Sequence, residues 1–194
     1  MTVTASSARA AATAPAASPP RTVLIVGSTR EARLGGTVAH WFADQAARHG
    51  GLDLDVADLA ELGPDAEGLG ERLGAADAFV VVTPEYNHSF PAPLKAAIDR
   101  FRTEWQAKPV GFVSYGGMSG GLRAVEQLRL VFAELHAATV RDGVSFHNVW
   151  ERFDADGRPV DAAGAEAAAK KLIDQLAWWA HALREARTSH PYQG

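Results

Sequence analysis

The sequence predicts an α/β fold, a three-layer sandwich in which a five-stranded parallel sheet lies between two layers of helices. Continuous runs of apolar and β-branched residues recur along the chain, and such runs are typical of strands covered on both faces. Segments with apolar residues at helical spacing separate these runs. Strands and helices that alternate in this way favour a parallel sheet, with the strand order 2-1-3-4-5 for five strands.

The length and composition of the chain predict one domain. Its 194 residues are 47% hydrophobic, enough for a sizeable core. We expect residues 1–20, which are rich in Ala, Ser, Thr and Pro, to be a disordered tail, and residues 21–190 to form the single domain. The net charge of -4, with dispersed lysines and arginines, argues against a nucleic-acid partner.

Two absences narrow the possible functions. The chain has no cysteine, which excludes disulfides, thiolate metal sites, redox dithiols and a cysteine nucleophile, and which is compatible with the cytoplasmic location that we expect. No apolar run approaches the roughly 20 residues that cross a bilayer, so no membrane segment is predicted.

The first half of the chain supplies two predicted strands. Residues 22–26 form a buried strand that ends at Gly27, and a helix is predicted over residues 36–49. Residues 52–56 alternate apolar and polar side chains, as a strand nearer the sheet edge does. Residues 59–76 are predicted to be loop with one short helix at most.

The second half continues the alternation. The pattern predicts strands over residues 79–83, 109–115 and 139–150, a helix that starts near Pro93, and helices over residues 121–136 and 161–187. The last strand is predicted to be extended or bulged at Gly143.

Three loops follow strands one, three and four, and in a parallel sheet they meet at the carboxyl edge, where ligands bind. The first loop, residues 27–36, offers hydroxyls, two arginines and backbone N–H groups that lead into a helix, which suits a phosphate. The alternative is a polar turn with a Ser or Thr cap. No G-x-G-x-x-G fingerprint occurs in the chain.

The other two loops suit a flat ligand. In the loop that starts at Pro84, Asn87 and backbone groups offer hydrogen bonds to the polar edge of a heterocycle, and Tyr86 offers a ring to pack beside it. For Glu85 and His88 simple surface exposure is the alternative. Residues 115–121 are mostly glycine, as expected where a backbone takes positive φ or a planar ligand approaches closely, although a flexible turn would look the same.

The third loop also contains a G-x-S-x-G match at residues 117–121, the nucleophile elbow of α/β-hydrolases, with Ser119 as the nucleophile. Asp142 followed by His147, His181 or His190 would keep the order Ser, acid, His. No H-G-G-G stretch accompanies the match, and an elbow would not explain the other two loops.

At these residues the chain resembles the NADPH-dependent FMN reductase family, which is flavodoxin-like. The resemblance covers about residues 22–146 and depends on three patches, which are Gly27-Ser28-x-Arg30, Pro84-Glu85-Tyr86-Asn87 and Ser114-Tyr115-Gly116-Gly117. The middle patch continues as Pro91-x-x-Leu94-Lys95-x-Ala97-Ile98-Asp99. Many members carry serine at the position of Arg33, whose role is therefore left open.

The resemblance implies an enzyme that passes two electrons from NADPH or NADH through bound FMN to a quinone, flavin or azo-type acceptor. It implies that the phosphate is held by Ser28, Arg30, Arg33, Leu34 and Gly35, and that the flavin ring is contacted by Pro84, Glu85, Tyr86, Asn87, Ser114, Tyr115, Gly116 and Gly117. No catalytic residue is named, because the cofactor carries the chemistry.

Family resemblance also implies a homodimer or homotetramer. The helices after Pro93 and Gly121 are candidate interfaces, with Phe101 and Trp105 as candidate exposed aromatics, and packing on their own core is the alternative. A flavodoxin-like electron carrier is the main competing function. The two arginines of the first loop and the mild net charge argue against it, since such carriers resemble one another in an arginine-poor phosphate loop and an acidic surface.

Overall fold

The computed structural model describes residues 18–194. All but the last three residues of the predicted tail therefore lie outside the described residues. The strands are β1 (Arg21–Val26), β2 (Asp53–Asp58), β3 (Ala78–Pro84), β4 (Pro109–Tyr115) and β5 (Ala138–Phe146). The helices are α1 (Gly35–His49), α2 (Leu59–Leu62), α3 (Leu69–Ala75), α4 (Ala92–Asp99), α5 (Leu122–Glu134) and α6 (Ala162–Ser189).

The five strands form one parallel sheet in the order β2-β1-β3-β4-β5, as the sequence predicts. β3 and β4 are buried at every position, which explains why their sequences are continuous apolar runs. The edge strand β2 keeps only Ala57 buried, and its alternating sequence reflects that exposure. The fold class is therefore confirmed.

Two apolar cores flank the sheet. On one face α1 and α6 pack through residues such as Phe42, Trp41 and Leu172. On the other face the helices α2 to α5 pack through residues such as Leu94 and Phe132. The layers fix the strand ends relative to one another, and so they position the loops at the carboxyl edge.

Residues 59–76 contain two short helices where at most one was predicted. Asp58 begins the first of them, because its carboxylate accepts a hydrogen bond of 3.0 Å from the backbone N–H of Ala60. The last strand is also shorter than predicted. β5 ends at Phe146, and Val149–Glu151 form a separate 3₁₀ turn.

A register shift confirms the irregularity predicted at Gly143. Val110 of β4 pairs with Thr139 of β5, whereas Phe112 pairs with Gly143, so that β5 holds two more residues than β4 over this interval. A Cβ atom at Gly143 would lie 3.0 Å from the carbonyl oxygen of Phe112, so the close approach of the two strands favours glycine here.

The two aromatic residues named as candidates for an exposed interface pack on the core of their own chain. Trp105 is 1% exposed, and its indole N–H donates a hydrogen bond of 3.1 Å to the carbonyl of Ile98. Its ring meets that of Phe79 edge-on, with 4.7 Å between centroids. Phe101 is partly buried against the same core. Of the two alternatives left open by the sequence, the structure shows packing on the chain's own core, and helical spacing alone could not decide between them because it does not show which face another element covers.

Among the described residues, no helix combines the length and the hydropathy needed to cross a bilayer. In the same part of the chain, no group of three His, Cys, Asp or Glu side chains is arranged to hold a metal ion.

Candidate functional site

The three loops meet at the carboxyl edge of the sheet, as the parallel topology requires. Backbone hydrogen bonds join each loop to its neighbouring strand. They run from Gly27 N–H to Val82 O (2.9 Å), from Glu85 N–H to Tyr115 O (3.1 Å) and from Gly116 N–H to Phe146 O (3.1 Å). The loops therefore form one connected surface.

The first loop leads into an open helix N-terminus. Leu34 is the N-cap residue of α1 and provides no side-chain hydrogen bond. The N–H groups of the first turn, which starts at Gly35, are thus left for an external acceptor, and the helix dipole favours an anion there. The Ser or Thr cap considered as an alternative is not formed. These N–H groups and the helix dipole can bind an anion, and phosphate binding at this loop stays a prediction.

Arg30 and Ser28 connect the first loop to the second. The guanidinium of Arg30 stacks over the ring of Tyr86, 3.6 Å from its centroid. Ser28 is fully buried, and its hydroxyl shares a hydrogen bond of 2.8 Å with the hydroxyl of Tyr86. Within the described part of the chain no carboxylate pairs with Arg30, so its charge stays available to an anion.

Arg33 has a different environment. Its guanidinium forms an ion pair of 2.6 Å with Asp58, and both side chains are largely buried. Its Nε is buried without a hydrogen-bond partner among the described residues. Since Asp58 also caps α2, Arg33 ties the first loop to the end of β2. Sequence reasoning missed Asp58, although a carboxylate at a strand end beside an arginine-containing loop was the available signal.

The hydroxyl of Tyr115 is a second buried polar atom without a partner in the described chain. Burial and the neighbouring Tyr86 raise the pKa of Tyr115 well above its ordinary value, so the phenol stays neutral and keeps its proton to donate. A Cβ atom at Gly35 would lie 2.8 Å from this hydroxyl, so only glycine leaves the space between them. Buried polar atoms are usually satisfied, and those that are not point to an unplaced partner.

The second loop is a tight two-residue turn. Tyr86 and Ser89 exchange backbone hydrogen bonds of 2.8 and 2.9 Å, and the intervening Asn87 and His88 have φ of 51° and 66°. Gln127 of α5 donates a hydrogen bond of 2.6 Å to the carbonyl of His88. Asn87 and His88 are exposed, whereas Pro84 is buried at the end of β3. Asn87 is therefore held at the tip of a braced turn.

The Glu85 side chain turns away from that tip and holds the third loop. Its carboxylate accepts hydrogen bonds from the Ser119 hydroxyl (2.6 Å), the Arg123 backbone N–H (3.2 Å) and the Arg123 guanidinium (2.9 Å). Burial alone would raise the pKa of Glu85, but the hydrogen bonds from Ser119 and Arg123 outweigh it and lower the pKa. The surface exposure considered for Glu85 is not what the structure shows.

The contact between Ser119 and Glu85 also removes the basis for a hydrolase. A nucleophile elbow needs a histidine beside the serine. His147 instead bonds the carbonyl of Met118 through Nδ1 at 2.7 Å, and Asp142 bonds the side-chain amide of Gln175 at 2.8 Å. Ser119 is thus a structural donor, and the triad hypothesis was wrong.

The third loop requires its glycines. Gly120 and Gly121 have φ of 62° and 85°, a region that side chains disfavour. The hydroxyl of buried Ser114 donates a hydrogen bond of 2.8 Å to the carbonyl of Gly120. Gly116 and Gly117 are only partly buried and present bare backbone at the edge. The loop is a fixed turn with little side-chain bulk, suited to a flat ligand.

A further segment, residues 148–150, contacts the third loop and was missed by sequence reasoning. The N–H groups of Asn148 and Val149 donate to the carbonyls of Gly117 (2.9 Å) and Gly116 (3.0 Å). The segment was assigned to the last strand because the chain offers no Gly or Pro to mark where β5 ends.

The strand order, the open N-terminus of α1 and the bare glycine turn at the carboxyl edge are those of a flavodoxin-like protein. Comparison with known proteins makes the assignment narrower. The sequence pattern of the family described as NADPH-dependent FMN reductase matches residues 20–151, and the chain belongs to this family.

Relatives with similar sequences agree with this assignment. The chain is 36% identical over 121 residues to the NAD(P)H-dependent FMN reductase of Schizosaccharomyces pombe, covering 53% of this chain and 60% of that protein. It is 35% identical over 132 residues to a probable NADPH:quinone oxidoreductase of Oryza sativa, and the match covers 65% of this chain and 66% of the rice protein. The matched region thus spans less than two thirds of either relative. A third relative, the NAD(P)H-dependent FMN reductase of Pseudomonas aeruginosa, is 32% identical over 158 residues, covering 77% and 84%.

The flavoenzyme NAD(P)H:(acceptor) oxidoreductase FerB from Paracoccus denitrificans superimposes with a TM-score of 0.65 at 22% identity, covering 84% of this chain and 98% of that one. Megasphaera elsdenii flavodoxin superimposes with a TM-score of 0.55 at 12% identity, covering 81% and 98%. At these identities the superpositions show the fold alone.

Proposed function

We propose that this protein is an NAD(P)H-dependent FMN reductase that reduces a quinone, flavin or azo-type acceptor. The observation that carries the proposal is the unused hydrogen-bonding capacity gathered at the first loop. The α1 N-terminus has no side-chain cap, and the buried hydroxyl of Tyr115 has no partner in the described chain. Both are donors, and both lie beside Gly35. Donors in this arrangement suit a dianionic phosphate.

The residues fit the phosphate end of FMN. The backbone N–H groups that start at Gly35, with Leu34 as the N-cap, would hold the phosphate, and Ser28 and Arg30 would add a hydroxyl and a free charge. Arg33 would act through its ion pair with Asp58, which fixes the shape of the loop. The proposal thus gives the two arginines separate roles.

The second and third loops fit the isoalloxazine ring of FMN. Pro84, Tyr86 and Asn87 would contact one side of the isoalloxazine through backbone and amide groups, while Tyr115, Gly116 and Gly117 would line the other. Glu85 and Ser114 would contribute by holding the third loop, through Ser119 and Gly120 respectively. Two loops braced against each other present a preorganised edge to a flat ligand.

The chemistry that FMN supplies when bound is two-electron transfer, in which NAD(P)H, a proton and a quinone become NAD(P)⁺ and the hydroquinone. The protein therefore needs no nucleophile or metal of its own. Its residues bind the phosphate, fix the ring edge and leave room for donor and acceptor in turn. The names of the relatives, which include FMN reductases and quinone oxidoreductases, support this substrate class.

The electron carrier remains the alternative, since it shares the fold. The available charge of Arg30 and the net charge of -4 favour the reductase over an acidic carrier. The absorbance spectrum of the purified protein, followed by anaerobic NADPH addition, separates the two. We expect a flavin spectrum that bleaches rapidly. A flavin spectrum that stays oxidised would favour the carrier, and a protein that takes up no FMN would exclude both.

We also propose a homodimer or homotetramer located in the cytoplasm. Leu122 and Leu130 of α5 are 49% and 74% exposed, so α5 carries apolar surface that an oligomer would cover. Cytoplasmic NADPH and NADH would supply the proposed reaction. Light scattering measures the oligomeric state, and a monomer at micromolar concentration would contradict the first part.

A further inference from the structure

Trp150 lies beside the third loop on a rigid support. The 3₁₀ turn that carries it is anchored by buried Val149 and by the two hydrogen bonds to Gly116 and Gly117. Arg152 adds a hydrogen bond of 2.9 Å from its Nε to the carbonyl of His147. The backbone on both sides of Trp150 is therefore fixed to the glycine loop.

The indole ring reaches back over Gly117. A Cβ atom placed on Gly117 would lie 3.4 Å from Cη2 of Trp150, which is van der Waals contact. The outer part of the ring thus borders the bare backbone that the proposed function assigns to one side of the flavin. Met118, 81% exposed, follows Gly117 at the same edge.

The fold does not account for this tryptophan. Trp41 and Trp105 are at most 5% exposed and pack edge-on against core aromatics, whereas Trp150 is 64% exposed. A large rigid aromatic surface held in solvent at a ligand site is typical of a binding contact. Trp178 is exposed to the same extent, but it lies on α6 six residues before Arg184, which pairs with Asp77 just before β3 and so at the opposite edge from the three loops.

We infer that Trp150 is the stacking surface for a flat aromatic electron acceptor, such as a naphthoquinone, at the mouth of the site. This inference relies on the proposed function for the reaction and adds a residue that determines the acceptor class. The indole is in contact with the Gly117 backbone on one side and is 64% exposed overall, so a flat ring can stack on its solvent-facing surface. Offset stacking of a flat ring on an aromatic side chain adds to the free energy gained from burying its apolar surface.

The first test is kinetic and uses the FMN-loaded protein with NADPH as donor. A flat acceptor, 1,4-naphthoquinone, is compared with ferricyanide, which is octahedral and cannot stack. For Trp150→Ala we expect kcat/KM for naphthoquinone to fall about tenfold, while kcat/KM for ferricyanide and for NADPH stays within about twofold. Trp150→Phe keeps a ring and should stay within about threefold of the wild type.

Trp178→Ala is the matched control, because it removes an equally exposed tryptophan from a distant helix. It should leave all three kcat/KM values unchanged. The inference is overturned if Trp150→Ala keeps the naphthoquinone value, or if it lowers the naphthoquinone, ferricyanide and NADPH values alike. A weakened FMN dissociation constant in Trp150→Ala would also overturn it, since the residue would then be a cofactor contact.

The second test needs no turnover. Naphthoquinone is titrated into the oxidised FMN-loaded protein without NADPH, and tryptophan fluorescence is followed for the wild type, Trp150→Phe and Trp178→Phe. We expect a saturable part of the quenching to disappear only in Trp150→Phe. Equal saturable quenching in all three proteins overturns the inference. An enzyme with no NADPH-dependent activity in any variant, including the wild type, would instead refute the proposed function, and the titration would still decide whether Trp150 binds the quinone.

Discussion

Both edges of the sheet carry charged and polar side chains, but the hydrogen-bond partners of these side chains differ. At the amino edge Asp77 accepts bonds from the Arg21 N–H (3.2 Å), Arg184 (3.2 Å) and Arg187 (3.4 Å). Lys108 donates to the carbonyls of Leu73 (2.7 Å) and Gly74 (3.1 Å). The Asp77 carboxylate and the Lys108 ammonium are therefore both hydrogen-bonded within the chain.

At the carboxyl edge the pairing is incomplete. Ser28, Glu85 and Asp58 are paired, but the Tyr115 hydroxyl and Arg33 Nε are buried without partners in the described chain, and Arg30 only stacks on an aromatic ring. Burial of a polar group costs free energy unless it is hydrogen-bonded. The comparison therefore teaches that charge alone does not mark a site. Polar groups that lack a hydrogen-bond partner within the chain are the better indicator of a binding site. Three experiments compare the paired groups of the amino edge with the unpaired groups of the carboxyl edge.

The largest expected effect is at the amino edge. Asp77→Ala leaves two arginines and a backbone N–H without their acceptor, so we expect the free energy of unfolding to fall by about 3 kcal/mol. FMN affinity should stay within about twofold, because Asp77 lies at the opposite edge from the three loops. Urea unfolding and FMN titration measure the two quantities.

Asp65→Ala is the matched control for this change. Asp65 is 85% exposed and pairs with Arg100 at 3.1 Å, and such surface pairs contribute less than about 1 kcal/mol. Equal losses in the two variants would mean that the buried cluster at Asp77 does not hold α6 against the sheet.

The next effect is a pH dependence due to Lys108. Burial and the nearby Arg187 lower the pKa of Lys108 from 10.5 to about 8, against the opposing effect of Asp77 and Glu104. Between about pH 8 and pH 10.5, Lys108 is largely protonated in the unfolded chain and largely neutral in the folded one. The unfolded chain therefore binds more protons, and the free energy of unfolding rises with pH. From about pH 8 to about pH 9.5 the wild type should gain up to roughly 2 kcal/mol relative to Lys108→Met.

Urea midpoints across this pH range provide the measurement. The neutral amine keeps two N–H groups for the two carbonyls, so deprotonation does not cost those bonds. Lys170→Met serves as the control, because Lys170 is 66% exposed and should leave the pH profile parallel to that of the wild type. A Lys108→Met profile parallel to the wild type would refute the assignment.

The smallest expected effect, in free energy, is at the carboxyl edge. Arg30→Ala should weaken FMN binding at least about tenfold, or about 1.4 kcal/mol, because a charge on the phosphate is lost. The urea midpoint should not change, since no carboxylate in the described chain depends on Arg30. Arg141→Ala is the control, because the Arg141 side chain on β5 is 88% exposed. It should change neither the FMN affinity nor the urea midpoint. Unchanged FMN affinity in Arg30→Ala would remove Arg30 from the site.

The sequence was sufficient to predict the fold and the location of the three loops. Buried runs such as residues 79–83 identify strands, and parallel strands place their following loops at one edge. The glycines after Tyr115 and the polar residues after Pro84 were recognisable for the same reason. These features depend on local sequence, or on a topology that local sequence implies.

What could not be predicted depends on partners that are distant along the chain. Glu85 turns toward Ser119 and Arg123, more than thirty residues away, and Arg33 pairs with Asp58 across a strand and a helix. Periodicity gives no information on either choice. Trp150 was placed in a strand because the end of β5 has no local signal.

The register shift at Gly143 has a consequence for chain length. Because β5 contains two extra residues opposite Gly111, the alternation of its side chains is the same before and after the shift, and Val140, Val144 and Phe146 share one core. Removing two residues there would keep these side chains on their face and would still bring Trp150 to Gly117. Removing one would turn Val144 and Phe146 to the opposite face unless a one-residue β-bulge replaced the present shift. A length change of two residues is therefore the one that keeps the core pattern of β5 without a new irregularity.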